Sequence, residues 1–171
     1  GYIEKDAKSG NYQRLLQDTQ RIAEATEKMH RLLSELLELS RVGRVMNKAE
    51  EVLFADIVKD ALERVENQVQ AKKVKIKIAD NLGNVFVDKE RMIEVMQNLL
   101  DNATKFMGSQ KHPLIEIGTE KQNDECVYFV KDNGIGIKKE FHEKIFGLFD
   151  KLDSDSEGTG IGLALVKRII E

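Results

Sequence analysis

Two glycine clusters, Asp132-Asn133-Gly134-Ile135-Gly136 and Gly158-Thr159-Gly160-Ile161-Gly162, constrain this chain more than any other feature. Backbone free of side chains can turn sharply or pass close to a ligand. Upstream of both lies Gln97-Asn98-Leu99-Leu100-Asp101-Asn102-Ala103-Thr104-Lys105. Asn98, Asn102 and Lys105 are spaced four and three apart, which puts them on one helix face. An exposed polar stripe has the same spacing. Here Met92, Val95, Met96, Leu99 and Ala103 make the opposite face strongly apolar and two glycine loops follow, which favours a site. Asp88 is suited to cap the start of that helix.

The rest of the chain falls into two zones. From about Asn11 to Val45 there is no proline, and Leu15, Thr19, Ile22, Thr26, Met29, Leu33, Leu36 and Ser40 recur as a heptad. Leu16, Ala23, His30 and Leu37 widen the stripe, which fits a helix in a four-helix bundle. Partner helices would come most simply from a second copy of the chain. Beyond Val52, the residues Ile57, Val58, Ala61, Leu62, Val65 and Val69 predict a helix, and Val74, Ile76 and Ile78 a half-exposed strand. A turn at 80–84 leads to a short return strand, Val85-Phe86-Val87. Leu114 to Thr119 and Cys126 to Lys131 predict two more strands around a polar turn at Lys121 to Asp124. The expected class is α+β: a two-layer α/β sandwich preceded by a long bundle-forming helix.

Composition narrows the function. The 171 residues are 41% hydrophobic, enough for a core, and no apolar run approaches a membrane span of ~20 residues. With 27 basic and 30 acidic residues the net charge is −3, which gives no sign of nucleic-acid binding. The polar start, Gly1-Tyr2-Ile3-Glu4-Lys5, has no signal-peptide character, and the single Cys126 suits a reducing cytoplasm. Its apolar neighbours predict a packed structural thiol.

The chemistry these residues suit is phosphate and metal binding. An asparagine carbonyl is a hard oxygen ligand, fitted to Mg²⁺ that bridges phosphates. Gly158 to Leu163 opens a final helix, and amides at a helix N-terminus favour anions. The pattern fails as a dinucleotide fingerprint because a polar stretch, Lys151 to Glu157, precedes it where a strand should be. That stretch has the composition of a lid. Phe141, Ile145, Phe146 and Phe149 read as core or lid packing, His30 as a packed bundle-rim residue, and His112 and His142 as surface.

The asparagine helix followed by two glycine loops resembles the ATP-binding domain of sensor histidine kinases, within the ATPase group that includes DNA gyrase, Hsp90 and MutL. The resemblance implies that Asn102 ligates Mg²⁺, that Asn98 assists one turn earlier, and that Lys105 faces the phosphates. It gives Asp132 a hydrogen bond from the adenine amino group, with Gly134, Gly136 and Ile137 close to the base. Phe149, Lys151 and the run Gly158, Thr159, Gly160, Ile161, Gly162 and Leu163 complete the expected ATP pocket. Gyrase-type relatives carry a glutamate base where Asn98 stands; an amide cannot take a proton, which argues for phosphoryl transfer over hydrolysis. The run Glu38 to Arg44 resembles the end of the second dimerisation helix, so the acceptor histidine is expected before Gly1. The family's domain continues into two more strands after a helix like the one ending at Glu171, so the sheet is expected to lack them.

The resulting expectation is a cytoplasmic kinase segment using Mg-ATP, with residues 1–48 a partial dimerisation unit and 49–171 the catalytic domain. Its implied partners are a response regulator and a second copy, and its parent protein is soluble or membrane-attached. An anti-sigma-type serine kinase and a catalytically silent ATP-binding scaffold are the rival readings. The heptad helix speaks against the first, and the intact Asn102, Asp132 and glycine loops against the second.

Overall fold

The computed structural model describes Ile3, Ala7 and residues 9–41, 47–123, 125–150 and 158–171. The long helix α1 (Tyr12–Arg41) is 30 residues in length. Asn11 starts it, its Oδ1 accepting from the Arg14 amide at 3.4 Å. Two seam threonines return their hydroxyls to the helix: Thr19 donates to the Leu15 and Leu16 carbonyls and Thr26 to that of Ile22, all at 2.8–2.9 Å. That satisfies their polar atoms and lets them share an apolar stripe. Within a single chain the stripe is open, with Leu16, Ile22, Met29, Leu33 and Leu37 each more than half exposed. His30 is exposed as well, so the packed rim expected for it does not exist within one chain.

The second zone has helices on one layer and strands on the other. Strand β1 (Glu50–Leu53) leads directly into α2 (Phe54–Ala71). Then come β2 (Lys75–Ile78), β3 (Asn84–Val87), α3 (Lys89–Lys105), β4 (Leu114–Gln122), β5 (Glu125–Asp132) and α4 (Gly162–Ile170). The strands form two ladders. β1 pairs antiparallel with β3, while β4 lies between a parallel β2 and an antiparallel β5. The return strand therefore does not fold back on β2. Its partner β1 was not foreseen, because Glu50-Glu51-Val52-Leu53 is too short and charged to show alternation.

The core lies between the layers. Ile57, Val58, Ala61 and Val65 of α2 meet Ile93, Met96 and Leu100 of α3 and Ile115 and Ile117 of β4. The buried face of α3 thus runs through Ile93 and Leu100, while Met92 and Leu99 stay half-buried at its margin. Tyr128 of β5 ties three segments together: its ring lies 4.2 Å from that of Phe54, and its hydroxyl donates to the Leu82 carbonyl at 2.9 Å. Burial pushes the Tyr128 phenol above its ordinary pKa.

Asp88 caps α3 as expected, its Oδ1 accepting from the Arg91 amide at 3.3 Å. It also accepts from the Asn47 backbone amide at 2.9 Å. At the other end, Lys72 donates to the Lys105 carbonyl at 2.8 Å, placing a cation where the helix dipole favours one. Cys126 lies on β5 but is exposed. It pairs with Lys121 in the outer part of the hairpin, beyond the reach of the helical layer, so the packed thiol expected from its neighbours is not found.

Candidate nucleotide site

The three polar residues on α3 are all half-buried, and they face the second glycine cluster. Asn98 is fixed by its own helix: its Nδ2 donates to the Glu94 carbonyl at 2.9 Å. One N–H of the amide is thereby used, and the carbonyl oxygen turns to the start of α4. A Cβ placed on Gly162 would stand 2.6 Å from Asn98 Oδ1 and 4.0 Å from Asn102 Nδ2. Glycine at 162 is what lets the two helices approach with both amides between them. Lys105 lies one turn on, with its Nζ 4.9 Å from the centre of the Phe106 ring. It reaches into the space a Cβ of Gly158 would fill.

The second cluster is bent to make this possible. Gly160 has φ +78°, a conformation L side chains rarely adopt, and its missing Cβ admits the backbone of Phe149 to within 3.0 Å. The Phe149 amide donates to the Gly160 carbonyl at 3.0 Å. Phe149 itself has φ +64°, a conformation that costs a side-chain-bearing residue roughly 1–2 kcal/mol, and it is 54% exposed. Phe141 and Ile145 are half-buried and Phe146 is 39% exposed, on two short 3₁₀ turns at Lys139–Phe141 and Lys144–Phe146. This aromatic stretch lines the surface beside the loop and does not join the core, contrary to one expectation for it. Ile161 is fully buried, so only its backbone can face a ligand. Leu163 is half-buried on the first turn of α4.

The first cluster ends β5. Asp132 is exposed, and its Oδ1 accepts from the Gly134 amide at 2.8 Å. A Cβ on Gly134 would lie 2.5 Å from the Phe106 carbonyl and 3.1 Å from Met107 Cα. The loop is therefore pressed against the end of α3, and the Ile135 amide donates to the Phe106 carbonyl at 3.0 Å. Gly136, with φ +70°, and Ile137 follow as exposed residues. The His142 ring lies 3.0 Å from the Ile137 carbonyl through Nε2. Lys151 and the rest of the expected lid, 151–157, lie outside the described residues, as do residues 42–44 of the run resembling a helix end.

One set of contacts near the site escaped the sequence reading. Arg91 of α3 donates to Glu94 at 2.8 Å and meets Glu38 of α1 at 3.3 Å. The Glu94 hydrogen bond above all, with Glu38 adding to it, raises the guanidinium pKa further. Glu35 of α1 accepts from the Thr159 hydroxyl, inside the second glycine cluster. The three-residue spacing of Arg91 and Glu94 was visible in the sequence; the link to α1 had no signal in it.

Chemically, the site joins amide groups, a lysine ammonium and the amide-rich start of a helix. That combination suits a phosphate chain and a hard cation. Asn98 Oδ1 is free of its own amide's bond and directed between the helices, which fits a metal ligand or a ligand of metal-bound water. Asn102 presents its nitrogen toward Gly162, and the oxygen and nitrogen of such an amide differ by a half-turn of the group.

Residues 87–171 match the family described as histidine kinase-, DNA gyrase B- and HSP90-like ATPase. The whole chain is 44% identical to 19% of the length of the methanogenesis regulatory histidine kinase FilI of Methanothrix harundinacea. The chain spans about a fifth of the length of the first curated relatives it matches. Among solved structures, full-length ShkA in complex with AMPPNP superposes with a TM-score of 0.71 at 20% identity, over 91% of this chain and 33% of that one. Histidine kinase ThkA in complex with the response regulator protein TrrA gives 0.62 at 24% identity, over 76% and 38%. These structures establish the fold, and the family match with the sequence relatives places it: the chain carries the catalytic ATPase domain of the sensor histidine kinases.

Proposed function

We propose that this chain binds Mg-ATP and serves transfer of the γ-phosphoryl group to a histidine, and from there to an aspartate of a response regulator. The observation that carries the reading is the meeting of Asn98 and Asn102 with Gly162 and of Lys105 with Gly158. In this reading Asn102, assisted by Asn98, holds the metal. Lys105 and the backbone of Gly158, Thr159, Gly160, Ile161, Gly162 and Leu163 hold the phosphates. Asp132 accepts from the adenine amino group, with Gly134, Gly136 and Ile137 bordering the base and Phe149 and Lys151 the lid side. Mg²⁺ supplies charge neutralisation on the phosphates. The side chains position the phosphates and offset their charge. None of Asn98, Asn102 and Lys105 is a carboxylate able to deprotonate water, which fits transfer to an acceptor over hydrolysis.

Residues 1–48 form part of a dimerisation unit in this proposal, and 49–171 form the catalytic domain, acting on the cytoplasmic side. The open stripe of α1 supports pairing with a second copy. FilI is named a histidine kinase and ThkA is described with a response regulator, which supports this partner class over a serine-bearing one. The test is incubation with γ-labelled ATP, Mg²⁺ and a helix bearing an acceptor histidine. Acid-labile label on that helix, lost in Asn102→Ala, is the expected result. Brisk release of free phosphate without any label on the helix would overturn it.

A further inference from the structure

Two carboxylates of α1 hold it to the catalytic half, and one of them holds the phosphate loop itself. Thr159 is 8% exposed and stands between Gly158 and Gly160. Its hydroxyl donates to Glu35, and the Ile161 amide donates to the same hydroxyl at 3.4 Å. One turn of α1 later, Glu38 meets Arg91 at 3.3 Å, and Arg91 is only 18% exposed. A polar cavity of about 680 Å³ lies beneath this contact, lined by Ser34, Glu35 and Glu38 on one side and Asn98 and Gly162 on the other. The edge of α1 that carries Glu35 and Glu38, with Arg31 one turn before, therefore borders the same loop and the same amide that the proposed function assigns to phosphate and metal.

We propose that Glu35 is a charge latch: its carboxylate docks α1 on Thr159 and lowers the affinity of the glycine loop for phosphate-bearing ligands. The inference rests on the nucleotide reading of the site. A carboxylate and a phosphate compete for the same hydroxyl, and they repel at short range. Linkage makes the effect mutual: whatever Glu35 takes from the affinity for Mg-ATP, bound Mg-ATP takes from the docking of α1. Adenosine has no phosphate and is indifferent to the latch. Glu38 and Arg91 remain as a second attachment, so α1 loosens at Glu35 without separating. Because α1 also carries the open apolar stripe, occupancy of the site is transmitted to that stripe.

The test is calorimetric titration of the full chain with Mg-ATP, Mg-ADP and adenosine, in wild type, Glu35→Gln and Glu27→Gln. Glutamine keeps an oxygen for Thr159 and removes only the charge; Glu27 is an exposed acid elsewhere on α1. Glu35→Gln is expected to tighten Mg-ATP by about tenfold, close to the scale of one water-screened charge pair, with adenosine unchanged and Glu27→Gln at wild-type values. In the wild type, Mg-ATP but not adenosine should speed amide hydrogen exchange in 31–41. An unchanged or weakened Mg-ATP affinity in Glu35→Gln, with adenosine still bound, overturns the latch alone. A wild-type chain that binds none of the three ligands overturns the nucleotide reading and the latch with it.

Discussion

The Asn98 side-chain nitrogen donates to the Glu94 carbonyl at 2.9 Å, and this intrahelical bond aims the Asn98 oxygen at Gly162. The oxygen's position is thus set by α3 before any ligand arrives. What keeps α4 at that distance is the absence of a side chain at 162.

Gly162→Ala therefore separates binding from folding. Its Cβ would meet Asn98 Oδ1 at 2.6 Å and push the amide aside. Alanine at the first position of α4 costs the helix nothing. Affinity for Mg-ATP is expected to fall about tenfold, or roughly 1.4 kcal/mol, with adenosine affinity and melting temperature little changed. Calorimetry and a thermal melt read the two effects apart.

Gly134→Ala should do the opposite. The added Cβ falls 2.5 Å from the Phe106 carbonyl and 2.8 Å from Asp132 Oδ1, so the loop must lift off α3 and take Asp132 with it. Overpacking of this kind costs about 1–3 kcal/mol. Urea unfolding should show that loss, and adenosine and ATP should weaken alike.

Thr104 is 1% exposed and its hydroxyl has no hydrogen-bond partner among the described residues. Thr104→Val keeps the shape and removes the desolvated hydroxyl, so it should raise stability by about 1 kcal/mol in urea unfolding. A clear loss would show that the hydroxyl is satisfied.

Much of this was legible in the sequence. Helix α3, its Asp88 cap and the shared face of Asn98, Asn102 and Lys105 follow from periodicity and local chemistry, which act within a few residues. Strand β1 was not legible, because its partner β3 lies more than thirty residues away and its glutamates hide the pattern. The exposure of Cys126 depends on where the helical layer ends over the β4–β5 hairpin. The Glu35–Thr159 bond joins residues 124 apart, and no local rule reports a contact of that range.

Two surface ion pairs set the expected pH response. Lys77 lowers the Glu116 pKa and Lys89 lowers that of Asp60, in each case chiefly through a hydrogen bond. Carboxylates with lowered folded values stabilise above their unfolded pKa, and the contribution is lost as pH falls through the folded value. Lys77 and Lys89 are raised in turn, by Glu116 and Asp60. Their contribution is complete below the unfolded lysine pKa and is lost as pH rises through the folded one. Stability should be flat at neutral pH and decline at both extremes, and Asp60→Asn should flatten part of each limb in pH-dependent melts.

The exposed stripe of α1 predicts self-association. Sedimentation should find the full chain associating with concentration while residues 50–171 remain monomeric. Equal behaviour of the two would remove α1 from the interface.

The central claim is that α3 and the second glycine cluster form a metal-nucleotide site in which Asn102 serves the phosphate end. Calorimetry of Asn102→Ala with Mg-ATP and with adenosine tests it most directly. The site as described predicts a large loss for Mg-ATP, on the order of a hundredfold, with adenosine binding retained, since a charged-group interaction is removed while Asp132 is untouched. An equal loss of both ligands, or no loss of either, would contradict it.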